Sequence, residues 1–288
     1  MEEIFLFGML RGAIFALAAF GFSLVLGVLG IVNFAHGVFV VIGALVTWSL
    51  HTQFGFNIAL ASLTAAFSMG FLGVVIQKVF IMRVFKLHPL MMLVQTWGVA
   101  IVATEIANLV WSGSERLVRV NFPGPALITL GSMLIPTWDV VVFLVSVVAA
   151  GLLIALLQLT SLGRAIRACR DSLDSASLAG VNVDRVFMIT MGICGIWAGL
   201  AGSLMVTLKP TATYMHFQWT LDAFIVVVIG GMGSIAGALL GGFLYGVLNF
   251  AAYFYSPNQA PAIIFAALIL LLIMRPQGLF GLGQVGRK

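Results

Sequence analysis

Histidine and cysteine are the side chains most often used for catalysis or metal binding, and in this chain their spacing serves neither. His36, His51, His88 and His216 are scattered, and Cys169 and Cys194 fall in a charged stretch and an apolar one. There is no CxxC pair and no Cys/His spacing of the kind a metal needs. No Ser/His/Asp set or acid pair stands together either, so neither an enzyme nor a metal site is expected. The chemistry left is that of polar groups inside apolar runs. Asn33-Phe34-Ala35-His36-Gly37 sets an amide and an imidazole between Gly30 and Gly37, which permit unusual backbone angles. Glu105 is read as the only acid well inside a span, with Asn108 one turn on. An ionised group such as Asp at the centre of a membrane helix costs about 2.5–3.5 kcal/mol on translocon scales. Such groups therefore face a bundle interior or a watery path, or satisfy one another between helices. Gly30, Asn33, His36, Gly37 and Glu105 are accordingly candidates for a substrate path or its hinges. A proton carried by Glu105 or His36 would instead make the chain a stand-alone secondary transporter.

A second interruption, Gly230-Gly231-Met232-Gly233-Ser234, lacks the GxxxxGK[ST] pattern of a phosphate-binding loop. Nucleotide binding on this chain is not expected. Gly231, Gly233 and Ser234 are read as a turn within the membrane and as further path or hinge residues. Gly233, Gly237 and Gly241, then Gly242 and Gly246, and also Gly195 and Gly199 with Gly202 close by, follow the small-xxx-small spacing of closely packed helices. Paired interruptions in the two halves of a transporter point to its translocation path. Residues 27–37 and 230–237 are the candidate pair.

Residues 161–185 form the one long polar stretch between apolar spans. They hold Arg164, Arg167, Arg170 and Arg185 beside Asp171, Asp174 and Asp184. Lys and Arg resist translocation, so this loop is expected in the cytoplasm. Its charge exceeds what a connector needs and suits a docking surface.

These groups must be positioned by helices. The chain is 62% hydrophobic and 8% charged, whereas a soluble domain carries roughly 25% charged residues. No soluble core could bury so much apolar surface. The expectation is an all-α integral membrane protein, a polytopic helical bundle of about eight membrane segments, read as one transmembrane domain over 1–288. Helical rather than alternating periodicity argues against a barrel. Apolar stretches fall at 4–29, 38–50, 57–82, 89–111, 138–160, 186–208, 221–255 and 260–274. The second is too short to cross alone and the seventh too long and glycine-rich for one helix, so both are expected to be broken or re-entrant. The net charge of +5 reflects the bias of cytoplasmic loops rather than a nucleic-acid partner. Lys78, Arg83, Lys86 and the 161–185 loop mark the inside, as do Arg275, Arg287 and Lys288 at the C-terminus. The turn-rich segment 112–137, with Glu115, Arg116, Arg119, Pro123, Gly124, Pro125 and Pro136, belongs outside. Glu2 and Glu3 permit an external N-terminus. They also argue against a signal peptide, which opens with basic residues.

Three segments together resemble the permease subunits of branched-chain amino acid ABC importers, and specifically the H-type subunit. They are LVLGVLGIVNFAHGVFVVIGA (24–44), GRAIRACRDSLDSASLAGVNVDRV (163–186) and VIGGMGSIAGALLGG (228–242), with RPQGLFG (275–281) near the end. The resemblance spans nearly the whole chain. It implies a multi-pass protein of the bacterial cytoplasmic (inner) membrane with a second homologous permease subunit, two ATPase subunits and an extracytoplasmic solute-binding protein as partners. ATP would be a cofactor of those partners and not of this chain. Related permeases carry amides or urea, so that substrate class stays open. Importer permeases of this kind carry an EAAxxxG coupling element. Here Asp174-Ser175-Ala176 followed by Gly180 keeps the spacing with Asp and Ser replacing Glu and Ala. The resemblance thus implies ATPase coupling at Arg164, Arg167, Arg170, Asp171, Asp174, Ala176 and Gly180.

Overall fold

The computed structural model describes residues 1–84, 89–120, 125–130 and 133–280. Lys86, His88, Pro123, Gly124, Gly281, Arg287 and Lys288, which entered the sequence reading, lie outside the described residues. The elements in order are α1 (Glu2–Leu29), α2 (His36–Trp48), α3 (Ile58–Ile76), α4 (Met82–Val84), α5 (Pro89–Trp111), β1 (Leu127–Leu130), β2 (Met133–Pro136), α6 (Thr137–Leu159), α7 (Ser161–Asp171), α8 (Leu173–Leu178), α9 (Val183–Met205), α10 (His216–Gly230), α11 (Ile235–Tyr255) and α12 (Ala260–Met274). Among the described residues, seven helices are long and apolar enough to cross a membrane. α2 and α10, at 13 and 15 residues, are shorter than the roughly 20 residues a full crossing needs.

α1 is the axis of the bundle. Ile14, Leu17, Ala19 and Phe20 along it are fully buried, and no polar stripe interrupts it, as befits a helix surrounded by others. Small residues bring its neighbours close. A Cβ on Gly12 would lie 2.9 Å from the Cα of Phe243 on α11, and one on Gly43 of α2 only 2.6 Å from the Cα of Gly199 on α9. The apolar solvent of a bilayer gives helices no hydrophobic reason to associate, so this close van der Waals contact does the holding.

The two ends of the bundle differ in charge. One end gathers the C-terminal end of α1, the α7–α8 segment, the turn between α10 and α11, and residues 275–280. There the N–H groups of Leu279 and Phe280 donate to the carbonyls of Ile229 and Gly230. This end carries Arg164, Arg167, Arg170, Arg185 and Arg275, and by the positive-inside bias it is the end expected in the cytoplasm. At the other end the Tyr255 hydroxyl reaches the sulfur of Met1. Arg116 forms an isolated antiparallel bridge with Thr211 and lies 4.3 Å above the Trp48 ring, while Trp138 donates to Thr207 at 2.7 Å. The helices alternate between these ends, with Met1 at the second and residues 275–280 at the first.

Among the described residues the structure departs from an all-α expectation outside the helical bundle. The external segment contains a β-hairpin, with Leu127 opposite Pro136 and Leu130 opposite Met133. Ile128 and Ile135 face each other in it, a β-branched pair suited to a pleated surface. The split of 221–255 falls at residues 231–234, where the chain turns from α10 into α11. That turn lies at the cytoplasmic end, however, and not at mid-depth.

Candidate functional site

Two groups of the expected residues come together at different depths. At the first, the chain leaves α1 at Gly30 (φ +69°) and climbs back along that helix without helical structure before α2 begins. His36 Nε2 then sits 2.9 Å from the carbonyl oxygen of Ala18, eleven residues before the end of α1 and so about 16 Å above it at 1.5 Å per residue. α2 therefore starts deep inside the bundle. α10 starts beside it, because the Gly37 N–H donates to Thr220 Oγ1 at 2.9 Å and the Thr220 hydroxyl lies against the Phe34 carbonyl. The pair of broken helices is thus α2 with α10, and the second interruption is the segment before His216 rather than residues 230–237. Sequence reading missed this because 206–216 holds no run of glycines.

The first turn of α2 is satisfied from within the protein. Asn33 Oδ1 accepts the Ala35 N–H at 3.0 Å, and Thr96 Oγ1 accepts that of Phe34 at 3.3 Å. The His36 N–H bonds to the Asn33 carbonyl. Asn33 Nδ2 points at the sulfur of Met191 and His36 Nδ1 lies 3.4 Å from Cys194 Sγ. Both side chains are buried to within 1%. With its backbone donors occupied, this helix start is a joint between α1, α2, α9 and α10 rather than an open anion site.

The second group stands at the cytoplasmic end. Gly231 and Gly233 have φ of +102° and +79°, and Ser234 caps α11 by accepting the Gly237 N–H at 3.0 Å. Arg170 on α7 donates from Nη1 to the Gly233 carbonyl at 3.3 Å and makes a weak ion pair of 3.8 Å with Asp171. Arg167 turns back to the Leu157 carbonyl of α6. A cavity of about 390 Å³ separates these parts, walled by Ser23, Gly27, Ile154, Ile166, Ser234 and Phe280 with Arg167 and Arg170 at its edge. Among the described residues, Ser23 Oγ is one of the few buried polar atoms without a partner.

From this end α8 projects as a short exposed helix. Ser172 Oγ caps it by accepting the Ser175 N–H, and Asn182 does the same for α9 by accepting that of Arg185. Gly180, at φ +81°, closes α8 with the Gly180 and Val181 N–H groups bonded to the carbonyls of Ser177 and Ala176, a left-handed C-terminal cap. Ala176 is buried against the bundle while Arg164, Asp171, Asp174 and Leu178 are exposed, Leu178 to 88%. Cys169 is buried on α7, and that burial raises its thiol pKa.

Glu105 is placed elsewhere. It lies exposed on the outer face of α5, accepting from Asn108 Nδ2 at 3.3 Å. Asn108 in turn accepts from Thr213, just before α10. Two acids among the described residues are buried: Asp139 at the start of α6, 8% exposed, and Asp222, 6% exposed, which accepts the Tyr245 hydroxyl at 2.6 Å. Asp222 is the second residue of the apolar stretch 221–255. The start of α10 at His216 moves it two turns inward.

The family model described as branched-chain amino acid transport system / permease component matches residues 4–274. The permease protein LivH of the high-affinity branched-chain amino acid transport system of Salmonella typhimurium is 29% identical over 99% of both chains. The corresponding BraD of Pseudomonas aeruginosa is 29% identical over 96% of this chain and 95% of its own. The ribose import permease protein RbsC of Escherichia coli is 32% identical, but over 41% of this chain and 39% of its own. No solved structure matches the chain.

Proposed function

We propose that the chain, which belongs to the permease family of branched-chain amino acid transport systems, is one membrane half of an ATP-driven importer of branched-chain or related amino acids. It is a multi-pass membrane protein and a transport subunit rather than an enzyme. Residues 1–288 act as one permease domain. Its proposed partners are a second homologous permease, two ATPase subunits and an external solute-binding protein, with ATP hydrolysed on the partners. Counting α2 and α10 with the seven long helices gives an odd number of passes, in keeping with termini on opposite sides.

The observation that carries this reading is the hydrogen bond from Arg170 to Gly233. It ties the exposed cytoplasmic segment to the turn between α10 and α11, and α10 leads directly to the joint at Thr220 and Gly37. An ATPase subunit seated on α8, with Asp174 and Leu178 outward, would push on α7. Rigid α10 would carry that displacement about 22 Å up the bundle, fifteen residues at 1.5 Å each. There α2 and α10 would change their mutual angle, with Gly30, Asn33, His36 and Gly37 as hinge and Gly231, Gly233 and Ser234 as the lower pivot. Glu105 would contribute from the outer face of α5 where a second permease could close against it.

The test is purification of the tagged chain from its native membrane in mild detergent, followed by reconstitution of whatever copurifies. Recovery of ATPase subunits and ATP-dependent leucine uptake are expected, with both lost when α8 is replaced by a Gly/Ser linker. A chain that purifies alone and takes up leucine under an ion gradient overturns the reading.

A further inference from the structure

The external half of the bundle holds a second cavity, about 510 Å³, between α1, the segment before α10, α10 itself and α11. That volume lies in the range of small-molecule sites. Its walls include Phe15, Met205 and Phe250, while Arg11, Lys209 and Asp222 supply its charges. Lys209 lies within electrostatic reach of both Asp222 and Arg11, yet the three make no close pair. The Arg11 guanidinium lies 5.4 Å over the Phe250 ring and the Lys209 ammonium 4.8 Å over that of Trp219. Among the described residues none of the three enters an ion pair within 4.0 Å. Asp222 is instead fixed by Tyr245, whose hydroxyl accepts from Asn249 Nδ2 at 3.3 Å and so turns its proton to the carboxylate. Asp139 on α6 lies within electrostatic reach of Arg11 but outside the cavity.

Charges at this depth normally pair with one another. Two cations and one fixed carboxylate, without a close ion pair among them in a cavity that also has apolar walls, are the complement of a molecule that carries both signs and an apolar body. The geometry points to a zwitterion subsite: an α-amino acid bound with its carboxylate toward Arg11 and Lys209, its ammonium toward Asp222 and its side chain against Phe15, Met205 and Phe250. The site faces the end from which cargo arrives. The inference rests on the importer reading and sharpens it, since an amide or urea has no charge to match these groups.

The test uses the reconstituted complex with every copurifying subunit and follows Trp219 fluorescence on titration with L-leucine, L-leucinamide and N-acetyl-L-leucine. Saturable leucine binding is expected, with each analogue weaker by about tenfold or more, the loss of one charge-assisted contact. Arg11→Gln, Asp222→Asn and Lys209→Met should weaken leucine to a similar degree and Lys209→Arg should restore it. Melting temperature and subunit recovery check that each variant folds. Absence of saturable binding, equal binding of leucinamide, or unchanged binding in folded Arg11→Gln and Asp222→Asn overturns the site. ATP-driven leucine uptake measured in parallel separates the two readings. Wild-type uptake with unaltered KM in the variants sinks the subsite alone, whereas charge-dependent binding without any ATP-driven uptake sinks the importer reading alone.

Discussion

Arg170 on α7 and Gly233 in the turn between α10 and α11 are 63 residues apart in sequence and joined by a 3.3 Å hydrogen bond from guanidinium to backbone carbonyl. The bond fixes a side chain of α7 to main chain, so in the proposed mechanism movement of α7 would be transmitted without depending on any side chain of the turn. Replacing Arg170 with Ala should leave ATP hydrolysis by the complex intact and lower leucine uptake per ATP by about tenfold, as expected for a hydrogen bond from a charged group. Equal uptake per ATP in the variant would remove this link from the mechanism.

The exposed tip of α8 should act on assembly rather than on folding. Leu178 is 88% exposed, so Leu178→Glu should change the chain's own stability by less than about 0.5 kcal/mol. Recovery of ATPase subunits should fall sharply, because burying a leucine contributes about 1.5–3 kcal/mol. Gly180→Val, at φ +81°, adds about 1–2 kcal/mol of left-handed strain and should weaken the same docking. Pull-down with a tagged chain reads both, and full recovery with Leu178→Glu would show that α8 docks nothing.

At the upper joint, packing tolerates no added atom. A Cβ on Gly37 would stand 2.6 Å from Thr220 Oγ1 and closer still to the His216 carbonyl. Gly37→Ala should lower stability by about 1–3 kcal/mol, visible as a lower melting temperature in detergent. Adding Thr220→Ala should restore little, since the backbone of His216 remains in the way. Full rescue by Thr220→Ala would mean that the hydroxyl alone sets the spacing.

Cys169 offers a readout of α7. Burial raises its thiol pKa, so less thiolate exists at neutral pH than on a free cysteine, and the thiolate is the reacting form. In a Cys194→Ala background, maleimide labelling should be slow at pH 7 and accelerate as pH rises. If ATP binding lifts α7 from the bundle, labelling at pH 7 should also accelerate on adding a non-hydrolysable nucleotide. A rate indifferent to nucleotide would argue that α7 stays seated throughout the cycle.

The sequence by itself determined the class, and it singled out an orientation and a candidate docking face. Composition alone requires helices in a bilayer, arginine placement sets which end is inside, and the 161–185 charges stand out because apolar sequence surrounds them. Gly180 and the break of the 221–255 run were legible for the same local reason, since glycines beside polar residues interrupt helices wherever they occur. Only the tertiary structure decided which broken helices meet, placing the start of α2 against that of α10 through Gly37 and Thr220, 183 residues apart in sequence, of which Thr220 carries no local signal. It also decided the burial of two acids. Glu105 sits in an apolar run yet faces outward, while Asp222 at the edge of one is buried beside Tyr245. Hydropathy along a chain measures depth in the membrane. The rotation of each helix about its own axis, which decides what a side chain meets, is set by the neighbours it packs against.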